Sequence, residues 1–127
     1  MNDTPTNTLT EEKRLRTRIE RMYDLLNERK FDECFEIIDP RVRNAGTVEF
    51  AKYQTCLSHF VDKYGPLEPF RVIDMKLYLK AAERQEDRDF AYAIVLAHDK
   101  TGREIELKER WVRDTDGLWY TLKTGLV

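Results

Sequence analysis

The chain is sparing with the residues that announce specialised chemistry. Two cysteines in 127 residues are too few for the disulfide framework of a small secreted scaffold. Two histidines, His59 and His98, lie far apart, and no Cys or His pair has the close spacing of a zinc site, so no metal or other cofactor is expected. No apolar run approaches the roughly 20 residues that span a bilayer. The polar start Met1-Asn2-Asp3-Thr4-Pro5-Thr6-Asn7 lacks the basic and apolar regions of a signal peptide. A cytoplasmic location is the expectation, with no membrane partner. Charge of one sign is missing too: the net charge is −2, which gives no field to attract the polyanionic backbone of nucleic acid. There is no phosphate-binding glycine loop, no nucleophile elbow and no repeat.

What is present is a globular composition, 41% hydrophobic and 36% charged, at a length that one core can serve. Residues 1–9 read as a disordered leader and 10–127 as a single domain. Thr8-Leu9-Thr10-Glu11 has the form of a capping box, so a helix is expected from about Thr10. Leu15, Ile19, Met22, Tyr23 and Leu26 form its buried stripe, with Arg14, Arg18 and Arg21 on a solvated flank; an acidic partner is the alternative reading of that arginine row. Phe31, Cys34, Phe35 and Ile38 predict a short second helix ending at Asp39-Pro40. Arg41-Val42-Arg43-Asn44 is read as a brief strand. Thr47 is read as the cap of a third helix with the stripe Phe50, Tyr53, Leu57, Phe60, Val61 and Tyr64, stopped at Gly65-Pro66. Cys34 and Cys56 fall on apolar sides of these helices and are read as reduced and structural.

Beyond Gly65 the period changes from helical to two. Arg71 to Lys80 is the first long strand, with Ile73, Met75, Leu77 and Leu79 inward. In the second, Asp89 to His98, both faces are apolar. Phe90, Tyr92, Ile94 and Leu96 are taken as inward, and Ala91, Ala93, Val95 and Ala97 as an outer strip joined by Val72, Tyr78, Val112 and Trp119. Asp99-Lys100-Thr101-Gly102 turns into a third strand with Ile105, Leu107, Glu109 and Trp111 inward. Asp116-Gly117 marks a hairpin, after which Leu118, Tyr120 and Leu122 are expected on the Trp111 face. The fold class is α+β: three N-terminal helices packed on a strongly curved, cone-like antiparallel sheet of four long strands plus one short strand.

Tyr23-Asp24-Leu25-Leu26-Asn27-Glu28-Arg29-Lys30-Phe31-Asp32, leading to Ile37-Ile38-Asp39-Pro40, and the closing Glu109-Arg110-Trp111-Val112-Arg113-Asp114-Thr115-Asp116-Gly117-Leu118-Trp119-Tyr120 resemble the nuclear-transport-factor-2-like superfamily, also called cystatin-like or SnoaL-like. That resemblance implies a cone holding either a binding pocket or an isomerase, dehydratase or cyclase site for a small hydrophobic metabolite, and homodimers formed through the outer sheet face. Fold resemblance does not supply the chemistry. The aspartate base of the isomerases would fall near Arg43-Asn44-Ala45-Gly46, where asparagine takes up no proton. His59 lies about 140° from the centre of its helix's apolar stripe at roughly 100° per residue, and His98, though it shares parity with Ile94 and Leu96, borders a hairpin; one such histidine does not make a dehydratase site.

Glu109 is the inward anomaly. Burying a carboxylate requires a partner, a proton or water. Either it pairs, for instance with an arginine of the first helix, or Glu109, Tyr23, Tyr92, Trp111 and Tyr120 line a pocket in which Glu109 fixes a polar group of a ligand. The expected function is a non-catalytic small-molecule-binding or protein-association domain, homodimeric through Ala91, Ala93, Val95, Ala97 and Trp119. The alternative is an isomerase, dehydratase or cyclase acting on a small hydrophobic metabolite.

Overall fold

A computed structural model describes residues 4–122, with the side chains of 4–7 and of Ala82 left aside. The element order is α1 (Thr4–Asn27), α2 (Phe31–Phe35), α3 (Pro40–Asn44), α4 (Phe50–Tyr64), β1 (Phe70–Tyr78), β2 (Phe90–His98), β3 (Glu104–Arg113) and β4 (Trp119–Thr121). The strands form one antiparallel sheet in the order β1-β2-β3-β4. Helices followed by an antiparallel meander make the α+β class plain. No helix among the described residues is long and apolar enough to cross a membrane.

Helix α1 starts six residues ahead of Thr10, so Thr8 and Glu11 lie inside it and form no box at its start. Leu15, Ile19, Met22, Tyr23 and Leu26 are all buried on one stripe. The helix touches both edge strands, β1 and β4, and therefore crosses the sheet over the two central strands. Its arginines are not simply solvated. Arg14 pairs with Glu11 and Arg21 with Glu33, while Arg18 donates to the Trp119 carbonyl at 2.8 Å and lies over the Tyr120 ring.

The segment read as a short strand is helix α3. Asp39 caps it, its side chain accepting from the Arg41 amide, and Pro40 occupies the first turn. A proline there loses no helical hydrogen bond, so Asp39-Pro40 opens a helix instead of closing one. The nearest extended pairing is an isolated parallel bridge between Ile38 and Thr121. Glu49 and not Thr47 stands at the N-cap position of helix α4, without a side-chain capping hydrogen bond, and Gly65 closes the helix at φ 74°. A Cβ on Gly65 would come within 2.5 Å of the Lys100 Cβ, so this turn needs glycine both for its dihedral and for the close approach of the β2–β3 loop. Cys34 is buried and Cys56 exposed, both as free thiols, which corrects the expectation that Cys56 faces the core.

Three corrections concern which face of the sheet is which. In β1 the register shifts between Val72 and Asp74. That bulge turns Ile73 out to solvent and places Val72 in the core on the same side as Met75 and Leu77. In β2 the small residues are the buried ones: Ala91, Ala93, Val95 and Ala97 lie in the core, and Tyr92 is 48% exposed. Alanine gives α1 room to cross, while Leu107 and Trp111 on β3 and Trp119 on β4 supply the bulk beside it. In the β3–β4 hairpin Arg113 pairs with Trp119 and Trp111 with Thr121. The connecting loop 114–118 is odd in length, so Trp119 and Thr121 join the Trp111 face and Tyr120 points the other way.

Candidate functional site

The predicted pocket residues divide. Tyr23, Glu109 and Trp111 meet in the core. Glu109, 4% exposed, accepts through Oε2 from the Tyr23 hydroxyl, reaching up from α1, and through Oε1 from Trp111 Nε1 at 2.9 Å. Its strand partner is Ala93, whose short side chain lets Tyr23 pass over β2 to reach the carboxylate. Burial, followed by the charge and hydrogen bond of Glu109, holds the Tyr23 hydroxyl well above its ordinary pKa. Tyr23 is thus a donor across the whole physiological range. The trio is a polar knot in an apolar core, with both carboxylate oxygens engaged.

Tyr92 and Tyr120 are not part of it. Tyr92 lies on the opposite sheet face, and Tyr120, a neighbour of Val112 on β3, donates to Asp116 at 2.5 Å. The proposed interface strip fails as well. Trp119 is 0% exposed, its indole donating to Glu11 Oε1 at 2.9 Å, and the alanines beneath α1 cannot meet a second molecule.

The face that does look outward is the other half of β2. Cross-strand partners share a face, so the register gives its rows. Tyr78, Phe90 and Val112 come first, then Lys76, Tyr92 and Arg110. Asp74, Ile94 and Lys108 follow, then Arg71, Leu96 and Glu106, and last His98 and Glu104. An apolar stripe of Phe90, Tyr92, Ile94 and Leu96 therefore runs along the middle strand between charged flanks. Tyr78 stacks on Phe90 with centroids 4.7 Å apart, and Tyr92 stands edge-on to both. Arg110 lies over the Phe90 and Tyr92 rings, and Arg84 over Tyr78 and Phe90. The aromatic end is basic, and the Glu104–Glu106 end is acidic.

Two buried acids escaped the sequence reading. Glu11 is held by Trp119, by Arg14 at 2.8 Å and by Arg113 at 2.9 Å. Its signal was available: it sits four residues before Leu15, on the apolar stripe. Asp39 is held by the fork of Arg88, at 2.7 and 2.9 Å, a partner 49 residues away that no local pattern reveals. Of the histidines, His59 is exposed as expected, and His98 stands at the strand end 3.6 Å from Glu104. No group of three metal-ligating side chains occurs among the described residues.

No family model, no curated protein and no solved structure matches the chain. The site must be read from its own geometry.

Proposed function

We propose that the protein is a non-catalytic association domain that forms a homodimer through the outer face of its sheet. The observation that carries this reading is the outward-facing stripe Phe90-Tyr92-Ile94-Leu96, with Tyr92 exposed and the other three half-buried, flanked by charges of opposite sign at its two ends. Apolar stripes on a sheet face are usually covered, and the helices pack on the opposite side. A two-fold axis lying in the interface and across the strands would run β2 antiparallel to its copy. Lys108 would then face the partner's Glu106, Arg110 the partner's Glu104, and Asp74 the partner's Arg71. An axis along the strands over β2 would instead set Lys76 against the partner's Arg110, like against like, with Lys108 against the partner's Asp74 and Glu106 against the partner's Arg71, an arrangement that the double charge swap would not restore. Isologous contacts of this kind are the commonest in homodimers.

The non-catalytic part of the reading is supported by Glu109, whose oxygens are already taken up by Tyr23 and Trp111. It is supported too by the asparagine at position 44, where the resembled isomerases carry their base. The reading includes the strongly curved nuclear-transport-factor-2-like sheet. It is favoured by the bulge in β1 and by the single long helix that reaches both edge strands.

Sedimentation equilibrium tests it through a charge swap. Glu106→Lys and Lys108→Glu should each weaken the dimer, and the double variant should restore it. Tyr92→Glu should give a folded monomer. A wild-type chain that stays monomeric at every concentration reached, or a double variant no better than either single one, overturns the proposal.

A further inference from the structure

A second feature lies on the helix side, away from the outer sheet face. The first turns of α1, the end of β1 and the loop before β2 enclose a partly open hollow of about 600 Å³, within the size range of small-molecule sites. Three cations, Arg14, Lys80 and Arg113, and two carboxylates, Glu11 and Asp89, contribute to its lining. Three positive charges less two negative ones leave one uncompensated positive charge.

Both carboxylates are already committed to protein partners. Glu11 Oε1 accepts from Trp119, and Oε2 from Arg14 and Arg113. Asp89 Oδ1 accepts from the Ala81 amide at 2.7 Å, and Oδ2 faces Arg113 at 3.6 Å. Arg113 is thereby fixed from behind by two acids. The cations remain on the open side: the Arg14 side chain is 60% exposed, and Lys80 makes no ion pair among the described residues. Lys80 also has a φ of 60°, a conformation that a residue with a side chain adopts at a cost and that recurs at binding sites. Between these charges the wall is apolar, formed by Leu77 and Leu79, which pack against the core from its edge.

We infer that this hollow binds a small monocarboxylate with an apolar body, the carboxylate taken by Lys80 and Arg14 beside the fixed Arg113, and the body lying on Leu77 and Leu79. Charge-assisted hydrogen bonds from a preorganised guanidinium and a lysine suit a carboxylate, whereas an amine would meet uncompensated positive charge. The site does not depend on self-association.

The test is a titration of the full chain, followed by nitrogen–proton NMR, with 4-phenylbutyrate as the probe and 4-phenylbutan-1-ol and 4-phenylbutylamine as matched controls. The acid should saturate and move the Trp119 indole signal, which reports on Glu11, while the Trp111 indole signal stays in place. The alcohol should bind about tenfold more weakly or worse, since one lost charged contact is worth about that factor, and the amine should not saturate. Lys80→Gln should weaken the acid about tenfold, and Lys80→Arg should keep most of its affinity. Tyr92→Glu, which disrupts only the outer face, should bind the acid as wild type does. Failure of the acid to saturate, equal binding of acid and alcohol, indifference to Lys80→Gln, or shifts confined to the outer sheet face each overturn the inference.

Discussion

Replacing Arg88 with methionine removes its ion pair with Asp39, together with a longer contact to Asp114 at 3.5 Å, from the joint between helices and sheet. Arg88 grips both oxygens of Asp39, with side-chain exposures of 15% and 2%. The same aspartate caps α3, and its amide donates to the Thr121 carbonyl at 3.0 Å. Burial opposes the charge on Asp39, but the Arg88 fork, the Arg41 amide and both arginine charges outweigh it and hold the carboxyl below its usual range. Removing one partner of a buried pair costs about 3–5 kcal/mol, because the other charge is stranded. Asp39 keeps the Arg41 amide and Arg88 is not wholly buried, so the low end applies, about 3 kcal/mol. With an unfolding entropy of about 2.1 cal/mol/K per residue, that is a fall in Tm of about 11 °C. Urea unfolding followed by tryptophan fluorescence measures it, since Trp111 and Trp119 are both fully buried.

The pH dependence sharpens the test. In the wild type the depressed Asp39 pKa contributes stability that is complete above the unfolded value near 4 and is lost as pH falls through the folded value. In Arg88→Met burial acts unopposed by the fork, the carboxyl takes up a proton more readily, and the deficit should shrink as the solution is acidified. Asp39→Asn combined with Arg88→Met should recover a large part of the loss, since a neutral amide still caps the helix. A deficit below about 1 kcal/mol that does not change with pH would refute the reasoning.

Three further outcomes are expected. Tyr53 of α4 is buried, and its hydroxyl has no hydrogen-bond partner among the described residues, so Tyr53→Phe should leave urea stability unchanged or raise it by about 1 kcal/mol. Tyr23→Phe removes a donor from a buried carboxylate and should cost about 1.5–3 kcal/mol by the same measurement. Gly65→Ala combines a left-handed dihedral with a collision on Lys100, and its Tm should drop by about 4–8 °C, more than the dihedral alone explains at about 1 kcal/mol.

Legibility in the sequence followed how far each signal was local. The strands of the meander and the long helices α1 and α4 announce themselves by period, and Glu109 stood out because the other face of β3 is plainly charged. In β2 both faces are apolar, so hydropathy is silent. Side-chain size decided the matter, and size is set by the helix that crosses above. The β1 bulge at Ile73 leaves no mark in the alternation until the partner strand is known. Asp39-Pro40 was ambiguous in principle, since the same pair ends one helix and begins another. Of the polar knots, Glu11 was readable from its place on a stripe, whereas Arg88 and Asp39 needed the tertiary fold to meet.

The contacts of α1 with β4 join Glu11 to Trp119 and Arg18 to the carbonyl of the same residue, across 108 and 101 positions of chain. A chain emerging from the ribosome would hold the apolar stripe of α1 without its distal strand until Trp119 had been made. Loop closure over that distance is entropically slow, and the interval leaves the stripe open to chaperones or to unwanted association. The first helix and the fourth strand thus form a late latch, and the meander it closes over should gain its final rigidity only when that latch engages.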